Sequence, residues 1–496
     1  MTAHPTKRAQ EIREELGHPV IDCDGHVLEF MPATRPYLRE SLGQPLFDRY
    51  QASRAPLTST MATSSIASRR ATRIPQGGWW GTPVRDARDV ATSIFPRLLH
   101  ERLPELGMDY MVLYPTNAMN TAGIADDDLR QGLCRGFNDF YADVYGPLGD
   151  RLTVAGIVPM HTPEEAIAEL EHCRRIGLKV VGIPHGVMRP IPEPVLEGGS
   201  PWLWPGQRHW YDHFGFESEH DYDPVWAKFH ELGYAVTVHG GLGAPPTTWY
   251  TSTSSWMYNH IGSFAAMMYP ICKALFLGGV TKRFPDLHFA FLECGVSWAS
   301  TMLSDTVEHW EKRNVKHLLE HYHPDLLDRE ALTDLARRYG RELVGDLDGP
   351  ELTAALEGVL LRGTAPEVLD EFEAIGIDDE DELYDLFVPR FFFGCESDDR
   401  TVAFAFSRAN MFGAKLQAML SSDISHFDVP EMEGVLPAAY GLLADDLLDP
   451  AEFREFAFSH AVRLHAHGDP GFFDGTAVEQ EAKAEMAAAS SPASGR

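Results

Sequence analysis

At 496 residues, with 44% hydrophobic and 11% aromatic content, the chain is long enough for two or three average domains, or for one large barrel carrying insertions. The 42 basic residues against 73 acidic ones give a net charge of −31, which excludes nucleic acid and anionic membranes as partners, since both need a basic face. Six scattered cysteines without a CxxC pair, an N-terminus (Met1–Gly17) lacking an apolar core, and no apolar run of membrane-spanning length lead to the expectation of a reduced, soluble, cytoplasmic protein.

Short, continuous apolar runs predict eight buried strands in chain order. The first, Val20–Asp24, ends in Asp22-Cys23-Asp24-Gly25-His26, where strict alternation would put Asp22, Asp24 and His26 on one face. An insertion at about 49–81 follows, rich in Ser, Thr, Ala and Arg, and reads as a lid or a disordered segment. Asp109–Pro115, Leu152–Met160 and Lys179–His185 are strands two to four, with an amphipathic helix predicted over Thr162–Ile176. A second insertion, 187–222, carries Trp202, Trp204 and Trp210 and reads as an aromatic wall. After a helix over Val225–Leu232 come Ala235–Gly240 and His288–Cys294, then extra helices over about 314–390. Phe391–Glu396 and Leu416–Asp423 complete the eight. Eight βα units imply a closed (β/α)8 TIM barrel, α/β in class, with long βα-loop and helical insertions and its site at the C-terminal strand ends. An open doubly wound sheet is the runner-up, but no GxGxxG follows any strand. The barrel domain is expected over 18–466, with 1–17 an N-terminal extension and 487–496 a disordered tail.

The polar residues that end these runs fall where a barrel puts its chemistry. Strand one ends in Asp24 and His26, strand five in His239, strand six in Glu293, strand seven in Glu396 and strand eight in Asp423. Any one of these has an ordinary explanation as a cap or a bonded core residue. Together, at one end of one barrel, they form a candidate metal site: carboxylates and imidazoles without a thiolate, a set that suits iron or manganese.

The chain resembles the amidohydrolase-related superfamily, in particular the branch of the aminocarboxymuconate-semialdehyde and γ-resorcylate decarboxylases. The matching segments are Ile21–His26, Val238-His239-Gly240-Gly241, Gly278–Leu287 leading into Leu292-Glu293-Cys294-Gly295-Val296-Ser297-Trp298, and Ser422–Asp428. The resemblance implies metal ligands at Asp24, His26, His239 and Asp423. The chain departs from the family pattern at three places. Asp24 stands at the first histidine position of Asp-x-His-x-His, Glu293 replaces the acid/base histidine of the decarboxylases, and Glu396 occupies a strand that contributes no ligand in mononuclear members.

Counting charge gives the consequence. Four carboxylates (Asp24, Glu293, Glu396, Asp423) around one divalent ion leave a surplus of negative charge in a low-dielectric pocket, whereas two ions balance them. In its barrel, its carboxylate-enriched site and its length the chain also resembles the TIM-barrel nonheme di-iron monooxygenases of platensimycin and platencin biosynthesis. That resemblance implies two irons held by Asp24, His26, His239, Glu293, Glu396 and Asp423. It further implies hydroxylation of a C–H bond of a CoA-linked, terpenoid-type carboxylic acid with O2, an external electron donor, and a place in secondary metabolism. The alternative is an amidohydrolase-type hydrolase or nonoxidative decarboxylase using one Zn or Mn. In both, Glu293, Asp423 and His426 are the expected catalytic groups. Family habit implies a homodimer.

Several further residues carry expectations. His426 lies three residues past Asp423, where the family pattern implies a histidine that supports the ligands or acts as acid or base, the alternative being a helix-terminal histidine bonded to backbone; Asp22 would orient a neighbouring ligand; His185 is expected to be structural. Cys294 and Cys395 would pack as small apolar groups. Trp79, Trp80, Trp249 and Trp256 would wall a pocket or pack their own loops, and Arg69, Arg70 and Arg73 would meet a CoA phosphate or simply be solvated.

Overall fold

The computed structural model describes residues 7–73, 75–78, 81–191, 209–240, 252–360 and 368–489, without the side chains of 54–63. Trp79, Trp80, Trp202, Trp204 and Trp249 lie outside the described residues. All eight expected strands form: β1 Ile21–Val27, β2 Tyr110–Pro115, β3 Leu152–Ile157, β4 Val180–Ile183, β5 Val236–Val238, β6 Phe289–Phe291, β7 Phe391–Cys395 and β8 Gln417–Leu420. They pair in sequence order, each parallel to the next. The ring closes at a seam between β8 and β1. Asp423 donates its N–H to the Asp24 carbonyl and His26 donates to the Ile424 carbonyl, both at 2.8 Å.

The local sequence explains the crossovers. Thr162 accepts from the Glu165 N–H and Glu165 reaches back to the Thr162 N–H, a capping box with Pro163 in the first turn, so the helix runs Pro163–Arg175. Helix Asp223–Leu232 stops at Gly233, whose φ of 74° is the left-handed conformation that favours glycine. The segment Trp256–Leu277 is by length and composition apolar enough to cross a bilayer. Here it is the β5–β6 crossover, helices Trp256–His260 and Ser263–Leu277, with Met267, Met268, Ile271, Cys272, Leu275 and Phe276 buried. All six cysteines are buried free thiols.

The barrel interior is filled by Ile21, Tyr110, Val112, Ala155, Val180, Ala290, Phe392 and Met419. Its N-terminal mouth is plugged by the C-terminal segment. His460 Nδ1 bonds the Ala418 carbonyl at 2.7 Å, and Phe472 and Phe473 meet Tyr110 edge-on. Packing thus continues past residue 466 to Val478 and Ala482, and residues 490–496 lie outside the described residues. In the first insertion, helix Met31–Thr63 bends at Gly43 (φ 69°) and is followed by helix Ile66–Thr72. In the second, Val187–Pro190 pairs antiparallel with His209–Asp212. Residues Ser304–Leu383 form a separate helical unit that includes Val315–His321, Arg329–Tyr339 and Gly349–Leu360.

One sequence expectation is corrected at β1. Ile21 pairs with Tyr110 and His26 with Tyr114, so five steps on β1 match four on β2, and the register shifts between Asp22 and Gly25. This β-bulge inverts the alternation. Asp24 and His26 stay together, while Asp22 falls out of phase and turns to the seam.

Candidate metal centre

Asp24 and His26 come from β1, His239 follows β5, Glu293 follows β6 and Asp423 follows β8. Glu293 and Asp423 have φ of 54° and 55°. A non-glycine residue in this region costs about 1–3 kcal/mol, and such strain collects at functional sites. The donor atoms converge on His26 Nε2, which lies 3.3 Å from Asp423 Oδ1, 3.5 Å from Glu293 Oε1 and 3.7 Å from Asp24 Oδ1. His239 Nε2 lies 3.6 Å from Asp24 Oδ1 and 3.4 Å from Glu293 Oε2. Among the described residues, two overlapping groups keep their donor atoms within 4.8 Å of one another: Asp24, His26, His239 and Glu293, and His26, Glu293, Asp423 and His426.

Among the described residues, both Asp24 oxygens and both His26 nitrogens are buried without a hydrogen-bond partner. Leaving such groups unsatisfied is costly, and a cation among them removes the cost. Electrostatics agrees. Burial, then Glu293, Asp423 and Asp22, push the Asp24 carboxyl well above its ordinary range. Burial and Glu293 do the same to Asp423. Glu293 is held low by His239, His26 and His426 against its own burial. Burial pushes His26 down to about 3, so its ring is neutral and a competent donor. The donor set fits a divalent ion.

Glu396 belongs to neither group. It sits on a cavity of about 720 Å3 beside the cluster, which Ser397, Ser422, Asp428 and Pro430 also line. Burial, Asp428, Glu293 and Asp398 push its carboxyl up to about 7. Asp399, just beyond, caps the turn of helix Arg400–Phe406 through the Thr401 N–H.

Asp22 takes its hydrogen bonds at the seam. It accepts from the Ser422 N–H at 2.9 Å, from the Ser422 hydroxyl, and from the Asp24 N–H at 3.2 Å. It thereby ties the backbone of Asp24 to that of Ser422, next to Asp423. His426 Nδ1 is 2.6 Å from Asp423 Oδ1, its Nε2 is 2.9 Å from Thr116 Oγ1, and its ring stacks on His26 with centroids 3.6 Å apart. His185 is buried and bonded through Nε2 to the Tyr211 hydroxyl at 2.9 Å. Cys294 and Cys395 bond the carbonyls of Phe291 and Phe393. Arg69 is buried and donates to the Ser64 and Pro75 carbonyls, so it is not free to meet a phosphate.

Three supporting residues leave no mark in the sequence. Tyr114 stacks on His239 with centroids 5.3 Å apart. Glu29, buried, accepts from the Asn117 N–H at 2.7 Å and the Tyr141 hydroxyl at 2.6 Å. Thr116 bonds His426. Their partners lie across strands or some ninety to three hundred residues away, a relation that no local pattern carries. Trp256, His260 and Phe264, spaced four residues apart, form an aromatic wall with the distant Phe427. Trp256 stacks on His260 at 4.1 Å, Phe427 meets Trp256 edge-on at 4.7 Å, and Phe264 faces His239 at 6.5 Å. Gly240 is required there, because a Cβ would lie 2.7 Å from the Phe264 ring.

Comparison with known proteins adds the family. No curated protein matches. Among solved structures, an amidohydrolase from Mycobacterium avium subsp. paratuberculosis K-10 is similar at 15% identity and a TM-score of 0.46, over 77% of each chain. A 5-carboxyvanillate decarboxylase from Sphingomonas paucimobilis is similar at 14% identity and a TM-score of 0.46, over 90% of this chain and 98% of that one. A dihydroxybenzoic acid decarboxylase from Polaromonas sp. JS666 with bound manganese is similar at 13% identity and a TM-score of 0.45, over 90% and 97%. The amidohydrolase family model matches residues 21–344, more than half of the chain and the part that carries Asp24, His26, His239 and Glu293. The chain belongs to the amidohydrolase family.

Proposed function

We propose that the protein is a metal-dependent hydrolase of a neutral carbonyl substrate such as an ester, lactone or amide, working with one divalent ion, Zn or Mn. The observation that carries this reading is that both donor groups use the same His26 Nε2. One nitrogen lone pair serves one cation, so two complete ligand sets cannot form there. Asp24, His26, His239 and Asp423 would hold the ion, with Glu293 alongside. An ion held there polarises a substrate oxygen and lowers the pKa of a water molecule.

The chain's own groups supply the rest. Asp423 accepts the proton of the attacking water, and His426, bonded to it at 2.6 Å, stabilises Asp423 through the change of charge. Three carboxylates with one divalent ion leave a net negative site, and the strongest electrostatic neighbours of each carboxylate are the other carboxylates and the histidines. Such a site disfavours a second anionic group on the reacting carbon, which favours hydrolysis of a neutral substrate over decarboxylation. The aromatic wall would seat an apolar substituent.

Metal analysis of wild type and Glu396→Gln tests the reading, together with a screen of p-nitrophenyl esters, lactones and aromatic acids. The expected result is one Zn or Mn per chain in both proteins and ester or lactone turnover. CO2 release from aromatic acids without ester turnover would replace hydrolysis with nonoxidative decarboxylation. Two irons in wild type, falling to one in Glu396→Gln, with O2 consumed on an acyl-CoA, would restore the di-iron monooxygenase and overturn the one-ion reading.

A further inference from the structure

On the one-ion reading above, we propose that Thr116 is a positioning residue that fixes the orientation of His426 beside Asp423. With an ion bound, Asp423 is a carboxylate that only accepts hydrogen bonds, so its 2.6 Å contact with His426 Nδ1 places the ring hydrogen on Nδ1. In the neutral ring Nε2 then carries a lone pair, and the Thr116 hydroxyl, 2.9 Å away, is the donor that fills it. The ring plane is set by stacking on His26, with centroids 3.6 Å apart and planes at 21°. Both nitrogens of His426 are therefore committed.

This arrangement separates two roles open to His426. Nδ1 is the nitrogen on the cluster side, 2.6 Å from Asp423 Oδ1 and 3.6 Å from Glu293 Oε1. By bonding Nε2, Thr116 holds Nδ1 against Asp423, and the hydrogen between them keeps His426 the partner of Asp423 rather than another ion ligand.

Thr116 is itself pinned. The buried carboxylate of Glu29 accepts from the backbone N–H groups of Thr116 at 3.3 Å, Asn117 at 2.7 Å and Ala118 at 3.4 Å, and from the Tyr141 hydroxyl at 2.6 Å. The Asn117 amide donates back to the Glu29 carbonyl at 3.3 Å. One carboxylate just past β1 thus sets the turn after β2 from which the Thr116 hydroxyl points at His426. Partners of this kind, one step removed from an ion's ligands, typically change activity or affinity by about 10- to 100-fold when removed.

The test compares wild type, Thr116→Ser and Thr116→Val, using long-range proton–nitrogen NMR of the histidine side chains in the zinc-loaded protein, with His426→Gln to assign the signal. Wild type and Thr116→Ser should show His426 with hydrogen on Nδ1 and Nε2 at the shift of a hydrogen-bonded lone pair. In Thr116→Val the Nε2 signal should move to that of a lone pair without a donor. In the metal-loaded enzyme, kcat for a p-nitrophenyl ester should fall about 10- to 100-fold in Thr116→Val, with KM and metal content unchanged and with recovery in Thr116→Ser. An unchanged Nε2 signal in Thr116→Val, or a serine variant that behaves like valine, overturns the proposal. Should Thr116→Val fail to fold, Thr116→Ala makes the same comparison. The Nε2 signal needs no turnover, so absent esterase activity with a shifted Nε2 signal would overturn only the hydrolase reading.

Discussion

Replacing Asp24 by Asn should make the metal-free protein more stable while abolishing its response to metal. Asp24 is fully buried, neither oxygen has a hydrogen-bond partner, and its donor atom lies within 4.8 Å of the Glu293 carboxylate. At an effective dielectric constant of about 20, two unit charges at that separation repel by about 3 kcal/mol. His26 offers little compensation, since burial pushes it down to about 3 and keeps it neutral. Proton uptake and the pull of His239 on Glu293 relieve part of the repulsion, which leaves an expected gain of about 1–2 kcal/mol for the metal-free variant. Wild type should instead gain about 2.7 kcal/mol when free Mn2+ or Zn2+ stands at a hundred times its Kd, and the variant should gain almost nothing. Denaturant unfolding of both proteins, with chelator and with saturating ion, measures all four stabilities. The reasoning fails if Asp24→Asn is less stable than wild type by more than about 1 kcal/mol without metal, or if it keeps the ion-dependent gain, because the carboxylate would then be a structural group.

Asp22→Ala should show the opposite pattern. It strands the Ser422 N–H, the Ser422 hydroxyl and the Asp24 N–H at the barrel seam, and at about 1–3 kcal/mol for each buried unsatisfied group it should lower the unfolding midpoint clearly, with weaker ion binding as a secondary effect. His465, fully buried against the Phe472 ring and pushed down to about 3, governs part of the acid sensitivity. The unfolded chain takes up its proton near pH 6.5 and the folded chain only near 3, so stability falls through that window by up to about 1.4 kcal/mol per pH unit; the midpoint of His465→Leu should lose less between pH 7 and 5 than that of wild type.

The barrel was legible because each strand is buried on both faces and so reads as an unbroken apolar run, from Tyr110–Pro115 to Phe391–Cys395. Every strand-end residue singled out from the sequence lies on, or just past, the strand expected to carry it. What failed was parity at Asp22. Gly25 was the available signal, since a glycine in a strand marks bulges and close approaches, and a Cβ there would lie 2.9 Å from the Met111 sulfur. Glu29 and Thr116 left no comparable trace. Glu29 meets Thr116 from 87 residues away and Thr116 meets His426 from 310, and neither stands in a run whose period carries meaning.

A residue count also misleads about charge. Four carboxylates were weighed together from the sequence, and that sum asked for two cations. The sum assumes that each carboxylate reaches a common ion and is ionised when it does. Asp24, Glu293 and Asp423 share His26 Nε2 as a neighbour. Glu396 stands on the adjoining cavity among Asp428, Asp398 and Asp399, where repulsion and burial raise its carboxyl to about 7. A carboxyl so placed can relieve its charge with a proton, where the sequence count asked for a second metal. Position along a strand fixes which residues can reach the barrel mouth, but the loop after each strand decides which of them share an ion, and this is why the metal count of Glu396→Gln discriminates between the one-ion and two-ion readings.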